Sequence, residues 1–251
     1  MIDIATVQSG AFKILINGIS KIIDKGKLIF TEEKIKMFES NKDKDILIHL
    51  NLYSERFEKY FVKGKKEINV DFKLLQKITK TIKNNETIGI TYNEGDTFWT
   101  LKSFDSDKGI NKSYKINLIQ YESDEINIPP TGFNYEISLS TIYFKDLLNQ
   151  SKFISSDKIN ISFNVRSIKF NFKNESIEKE VVIEENKDNM YIDYISGSEL
   201  IEGEFNYDNI LKCCFFTNLC NMLKIYFIKD FPIVFRYDIA SLGDMKLLFH
   251  Q

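Results

Sequence analysis

The sequence predicts an α+β protein made of two similar units, each an antiparallel sheet with two helices. Three observations carry this. Along most of the 251 residues, short segments alternate apolar, aromatic or β-branched residues with polar ones, the period-2 pattern of half-buried strands. Four segments exchange that alternation for a helical period. The order strand, helix, strands, helix, strands then recurs on either side of an acidic stretch that ends in Pro129-Pro130. Identity between the halves is slight, so the repeat is one of pattern.

Taken in order, the first helical segment is 9–23, with Ala11, Phe12, Leu15, Ile16, Ile19, Ile22 and Ile23 on one face. A strand follows at 46–52. The second helix, 71–83, places Leu74, Leu75, Ile78 and Ile82 together. Strands at 87–92, 97–102 and 114–119 close the first half, separated by polar turns such as Asn84-Asn85 and Asn93-Glu94-Gly95-Asp96. Residues 120–132 read as a connector, acidic and proline-ended. The second half opens with a strand at 133–139 and a helix at 141–150 carrying Phe144, Leu147 and Leu148. Strands follow at 159–165, 168–172, 181–185 and 190–194. The fourth helix, 208–219, is apolar nearly all round, and strands at 223–228, 233–237 and 246–249 complete the chain. The expected domains are therefore 1–119 and 133–251.

Composition limits the function. Lys+Arg 34 against Asp+Glu 36 gives a formal net charge of −2, which excludes a protein basic over its whole surface but not one with a basic patch. Three cysteines within 213–220 are too few and too clustered for a disulfide framework and suggest a reducing, intracellular setting. No signal peptide and no membrane span is expected. Two histidines, His49 and His250, make imidazole catalysis or a multi-histidine metal site improbable. Phosphate-binding loops, zinc motifs and nucleophile elbows are missing, so neither a catalytic constellation, a metal site nor a cofactor is expected.

The second helix is the most informative segment. At about 100° per residue, Lys73, Lys77 and Lys80 fall within an arc of roughly 60°, opposite the apolar stripe. No Asp or Glu lies between Lys73 and Lys83 to neutralise them at i,i+4. A lysine face without carboxylates suits a phosphate backbone and reads no bases. The first helix repeats the theme with Lys13 and Lys21; the third offers Lys145 and Lys152 beside Asp146; the fourth offers Lys212. Carboxylates gather elsewhere, at 122–125, 175–185 and 199–204, a split that favours a nucleic-acid role.

Several segments resemble the proliferating cell nuclear antigen (PCNA) family of DNA sliding clamps: ILIHLNLYSERFEKY (46–60), VDFKLLQKITKTIKNNETIGI (70–90), YKINLI (114–119), INIPP (126–130) and FPIVFRYDIASLGDMKLLF (231–249). The likeness spans the chain, is most specific in its last residues and is poor at 172–205. It implies two similar clamp domains, with antiparallel sheets outside and four helices per chain lining a closed homotrimeric ring through which double-stranded DNA passes. Lys13, Lys73, Lys77 and Lys80 would then face the duplex, with Lys21, Lys83, Lys145, Lys152 and Lys212 as weaker contacts. It also implies a pocket for PIP-box-type peptides of DNA polymerase and other replication and repair proteins, at Leu47, Ile126, Ile128, Pro129, Pro232, Leu248 and Phe249. The ring contact would join the strand of Tyr114, Lys115 and Ile116 to that of Ile177, Lys179 and Val181. A clamp loader is a further implied partner, and the nucleus or a viral replication site an implied location. Ser40 and Leu248 depart from the family's usual pocket residues. The alternative reading is a clamp-fold factor that lies on DNA by its basic face without encircling it.

Overall fold

The computed structural model describes residues 1–123, 133, 135–164, 166–186, 190–195, 200–228 and 231–251. The chain divides into two compact units. The first comprises Met1–Lys42, Ile48–Ile126 and Asp238–Met245, the second Asp43–Leu47, Asn127–Tyr237 and Lys246–Gln251.

In the first unit the elements are β1 (Ile2–Thr6), α1 (Ser9–Ile19), β2 (Lys25–Phe30), β3 (Lys34–Ser40), most of β4 (Ile46–Tyr53), β5 (Lys59–Val62), β6 (Lys66–Asp71), α2 (Phe72–Thr79), β7 (Thr87–Tyr92), β8 (Phe98–Asp105) and β9 (Ile110–Asn117). Five strands form an antiparallel sheet in the order β5-β1-β7-β8-β9. A second antiparallel run is β6-β2-β3. The helices lie against one another, and α2 packs on β2 and β6. Phe12, Leu15, Ile16 and Ile19 of α1 and Phe72 and Leu75 of α2 are buried with alternate strand residues such as Ile2, Ile4, Ile88 and Ile90.

The second unit follows the same plan with β10 (Tyr135–Ser140), α3 (Thr141–Ser151), β11 (Lys158–Phe163), β12 (Ser167–Lys173), β13 (Glu178–Glu184), β14 (Met190–Ile195), β15 (Ile201–Asn206), α4 (Tyr207–Leu211), β16 (Met222–Phe227) and most of β17 (Ile233–Ile239) and of β18 (Gly243–Phe249). Its antiparallel runs are β14-β10-β16-β17 and β13-β12-β11-β15. The core is aromatic: Phe144 stacks on Phe235 at 5.5 Å and Phe163 lies 5.0 Å from Phe227.

All four expected helices form, but three are shorter. The first ends at Ile19, where the Ser20 hydroxyl bonds back to the Asn17 carbonyl and the chain turns, although Ile23 stays buried. The second ends at Thr79. Its buried face is Phe72, Leu75 and Thr79, whereas Leu74 is 44% exposed. The large Phe72 enters the core straight from β6 and turns the helix so that Leu75, not Leu74, follows it inward. The fourth tightens after Leu211 into a 3₁₀ helix, Lys212–Phe216, which buries Cys213 and Phe216, the three-residue spacing of that geometry.

Among the described residues, six strands lie outside the expected set: β1, β2, β3, β5, β6 and β15. In β3, Lys34, Lys36 and Phe38 alternate with Ile35, Met37 and Glu39, the latter three all buried. In β15 a glycine occupies a core position, where a Cβ on Gly203 would meet the Phe205 ring at 2.8 Å. The strand expected at 114–119 starts instead at Ile110, because the turn after β8 pairs Asp105 with Ile110.

Candidate nucleic-acid interface

The lysines of the first unit are presented by two short helices fixed to each other and to the sheet. Asp71 caps α2, its carboxylate accepting from Leu74 N–H at 2.9 Å, which satisfies one of the orphan donors of the first turn. Gln76 Nε2 donates to Asn17 Oδ1 at 2.7 Å and ties α2 to α1. Lys73 and Lys77 lie on the exposed side of α2, and Lys80 is its C-cap.

The lysines differ in availability. Lys21, Lys77 and Lys80 are exposed, and their ammonium groups have no hydrogen-bond or carboxylate partner among the described residues. Lys73 Nζ sits 2.7 Å from Asp24, both largely exposed, an arrangement worth little and open to exchange with another anion. Lys83 Nζ is 3.4 Å from the buried Asp105. Lys13, expected to face a polyanion, is half-buried and turned inward: its Nζ donates to the Ile82 carbonyl at 2.5 Å and to Asn84 Oδ1 at 2.9 Å.

The helix pair of the second unit is weaker in charge. Ser140 caps α3 through Tyr143 N–H, and the Tyr207 hydroxyl donates to the Leu148 carbonyl at 2.6 Å, joining α4 to α3. Lys145 is half-buried and Lys152 exposed. Both act on the Cys214 thiol, which burial pushes up to about 11 against their opposing charge. Lys212 is spent on Asn209 Oδ1 at 2.7 Å. The same surface exposes Ile142, Phe153 and Phe215.

Of the expected peptide-pocket residues, Leu47 and Leu248 are buried in the second unit at 6% and 5% exposure, and Pro232 is half-buried. Phe249 points into the core, 5.6 Å from Phe235, because successive residues of a strand alternate in facing. Ile126, Ile128 and Pro129 lie outside the described residues. Sequence reasoning missed what holds the start of the connector. Glu39, 1% exposed, accepts from Lys27 N–H and from the Tyr121 hydroxyl, both at 2.8 Å. Asn69 Nδ2 donates to the carbonyls of Ile119 and Tyr121 at 3.1 and 3.2 Å.

The two strands expected to join protomers are each the last of their sheet: β9 beside β8, and β13 beside β12. On β9, Tyr114 is half-buried, Lys115 is exposed with its Nζ 4.9 Å from the Phe98 ring, and Ile116 faces inward at 9%. On the other side, Ile177 is 40% exposed just ahead of β13, Val181 is half-buried, and Lys179 donates to Ser151 Oγ at 3.0 Å.

Paired helices backed by antiparallel sheets, repeated in two units, with exposed lysines on the helices of the first, are the architecture of a DNA clamp. Residues 1–125 match the family described as proliferating cell nuclear antigen, N-terminal domain. The chain is 22% identical over 254 residues to the probable DNA polymerase sliding clamp 1 of Paramecium bursaria Chlorella virus 1, covering 99% of this chain and 95% of that protein. It is 27% identical over 235 residues to the DNA polymerase sliding clamp of Pyrococcus furiosus, covering 87% and 90%. Its fold matches the crystal structure of the Entamoeba histolytica proliferating cellular nuclear antigen with a TM-score of 0.89 at 14% identity, covering 99% and 97%. The chain belongs to the PCNA family and is a DNA sliding clamp.

Proposed function

We propose that three copies of this chain close into a ring around duplex DNA and tether DNA polymerase and other replication and repair proteins there. The supporting observation is the exposed face of α2, where Lys77 and Lys80 have no counter-charge among the described residues. Diffuse lysine–phosphate attraction allows sliding without base readout. Tethering raises a polymerase's effective concentration at the primer end, which needs no chemistry from the clamp. In this reading residues 1–119 and 133–251 are the two clamp domains and 120–132 their connector. PIP-box-type peptides dock beneath it on Leu47, Ile126, Ile128, Pro129, Pro232 and Leu248. A clamp loader opens the ring, and the protein works where intracellular DNA replicates, the nucleus in a eukaryotic cell.

Ring closure joins β9 of one protomer to β13 of the next. Charge supports this pairing: Lys108 and Lys115 lie in or beside β9, Lys112 being held by Glu86, while β13 carries Glu184 together with Glu178 and Glu180, each of which also meets a lysine of β12. Two long free edges are otherwise sites of uncontrolled association, which a closed cyclic assembly removes. Solution mass and retention on DNA test the proposal together. Three chains per particle and retention on closed circular but not linear DNA are expected. A monomer that binds both forms equally would favour the non-encircling alternative.

A further inference from the structure

The structure also shows what holds the lysines in place. α2 has eight residues, too few to be stable alone, and its last carbonyls depend on the turn that follows, where Lys80, Thr81 and Ile82 N–H donate to Gln76, Ile78 and Thr79. The segment that follows is gripped from two sides. From α1, Lys13 reaches the Ile82 carbonyl and the Asn84 side chain, and the Ser9 hydroxyl lies 3.1 and 2.7 Å from the carbonyls of Lys83 and Asn84. From β9, Lys112 Nζ donates to the Thr81 carbonyl at 3.1 Å and to both carboxylate oxygens of Glu86 at 2.7 and 3.0 Å. The Tyr114 and Thr81 hydroxyls are 2.7 Å apart. The Glu86 side chain is 1% exposed. Lys112 and Tyr114 are two residues apart and so share one side of their strand. Both meet Thr81, the residue after Lys80.

We propose that Lys112 is a positioning residue: through Glu86 and Thr81 it ties the edge strand β9 to the cationic end of α2. A second copy of the chain seated on that edge then steadies Lys77 and Lys80 against duplex DNA, and bound DNA favours that seating in return, as linkage requires. The inference rests on α2 as the DNA face and β9 as the contact edge. Because Glu86 neutralises Lys112, the residue adds no phosphate contact of its own.

The test is Lys112→Met in the full chain, read by salt titration of binding to a short linear duplex and by protomer dissociation in sedimentation. A fall of about fivefold in DNA affinity and a similar rise in dissociation are expected, the low end of typical coupling. The slope of log K against log salt stays unchanged, and Lys112→Arg recovers both properties. Unchanged affinity and association would overturn the proposal. So would a slope reduced by about one, which marks a direct phosphate contact. Lys112→Met leaves Glu86 buried without its cation, so Lys112→Met/Glu86→Gln is measured beside it. Persistence of the defects in that chain supports positioning; full recovery assigns them to the buried charge and sinks the idea. Lys77→Met/Lys80→Met is the reference: if it too binds DNA like the parent, the DNA-face reading has failed, and this inference with it.

Discussion

Replacing Lys77 and Lys80 by Met removes two of the three lysines that are both exposed and without a partner among the described residues of the first unit's helical face, the third being Lys21. Each phosphate neutralised contributes about −0.9 to the slope of log K against log salt. Three contacts from one protomer give a slope of about −2.7, hence a loss of about 40-fold in affinity between about 50 and about 200 mM salt. The double variant retains one contact, a slope of about −0.9 and a loss of about 3.5-fold over the same range. Fluorescence anisotropy with short linear duplexes of several sequences measures this free of any topological hold, and the sequences should be indistinguishable. Stability should not change, since both side chains are exposed. Lys73→Met should move the slope less, because Asp24 already occupies that ammonium at 2.7 Å. A double variant with the parent's slope would refute the assignment of α2 as the phosphate-contacting face.

Three further outcomes are expected. Burial pushes the Glu86 carboxyl up, but the hydrogen bond and charge of Lys112, with other donors, outweigh it and hold the group below its ordinary value of 4.5. The resulting stability is present above that value and is lost as pH falls through the lowered one. Lys112→Met should therefore cost about 3 kcal/mol at neutral pH and less near pH 4, where the now unpaired carboxyl takes a proton; urea unfolding at the two pH values checks this, and a cost independent of pH would contradict it. Gly243→Ala puts a Cβ 2.0 Å from the Asn51 carbonyl oxygen and 2.9 Å from Leu52 Cα. Both are backbone and cannot swing aside, so thermal unfolding should show a loss of about 3 kcal/mol or more. Tyr121→Phe deletes the hydrogen bond to buried Glu39 at a cost of about 1 to 2 kcal/mol; amide exchange at 118–123 should quicken while β7 and β8 are unaffected.

The lysine face of α2 was legible because helical periodicity alone brings Lys73, Lys77 and Lys80 together. The expected inward face holds at Leu75 and Ile82, with Ile78 half-buried, and fails at Leu74, because Phe72, arriving from β6, takes the leading core position, a tertiary fact. The inward turn of Lys13 was hidden for a similar reason: its acceptors lie 69 and 71 residues away in the chain. Sequence does not separate a lysine that caps a neighbouring helix from one that faces solvent. Glu39 and Glu86 were hidden too. A Glu in lysine-bearing KIKMFES reads as surface, yet Glu39 is buried because Lys27 N–H of β2 and the Tyr121 hydroxyl, from the start of the connector, reach it. Of the strands missed in the first unit, β2, β3, β5 and β6 carry lysines, which blurred the period-2 signal that the aromatic second unit displays plainly, whereas β1 has none and is only five residues long.

Availability, more than number, of cations reconciles a net charge of −2 with the proposed DNA-binding face. Lys13 and Lys212 are consumed in capping and side-chain hydrogen bonds, Lys73, Lys83 and Lys112 in ion pairs. What remains on the first unit's helical surface is Lys21, Lys77 and Lys80, while the second unit's helices present Ile142, Phe153 and Phe215 beside a few charges. Three diffuse contacts per chain amount to weak, salt-sensitive attraction. That is too little to keep a processive enzyme on DNA by charge, and small enough not to impede sliding. On the proposed reading, the hold therefore comes from closure of the ring, and the lysines keep the duplex centred. The strength of the β9–β13 contact, more than the count of lysines, then sets how long the clamp stays on DNA.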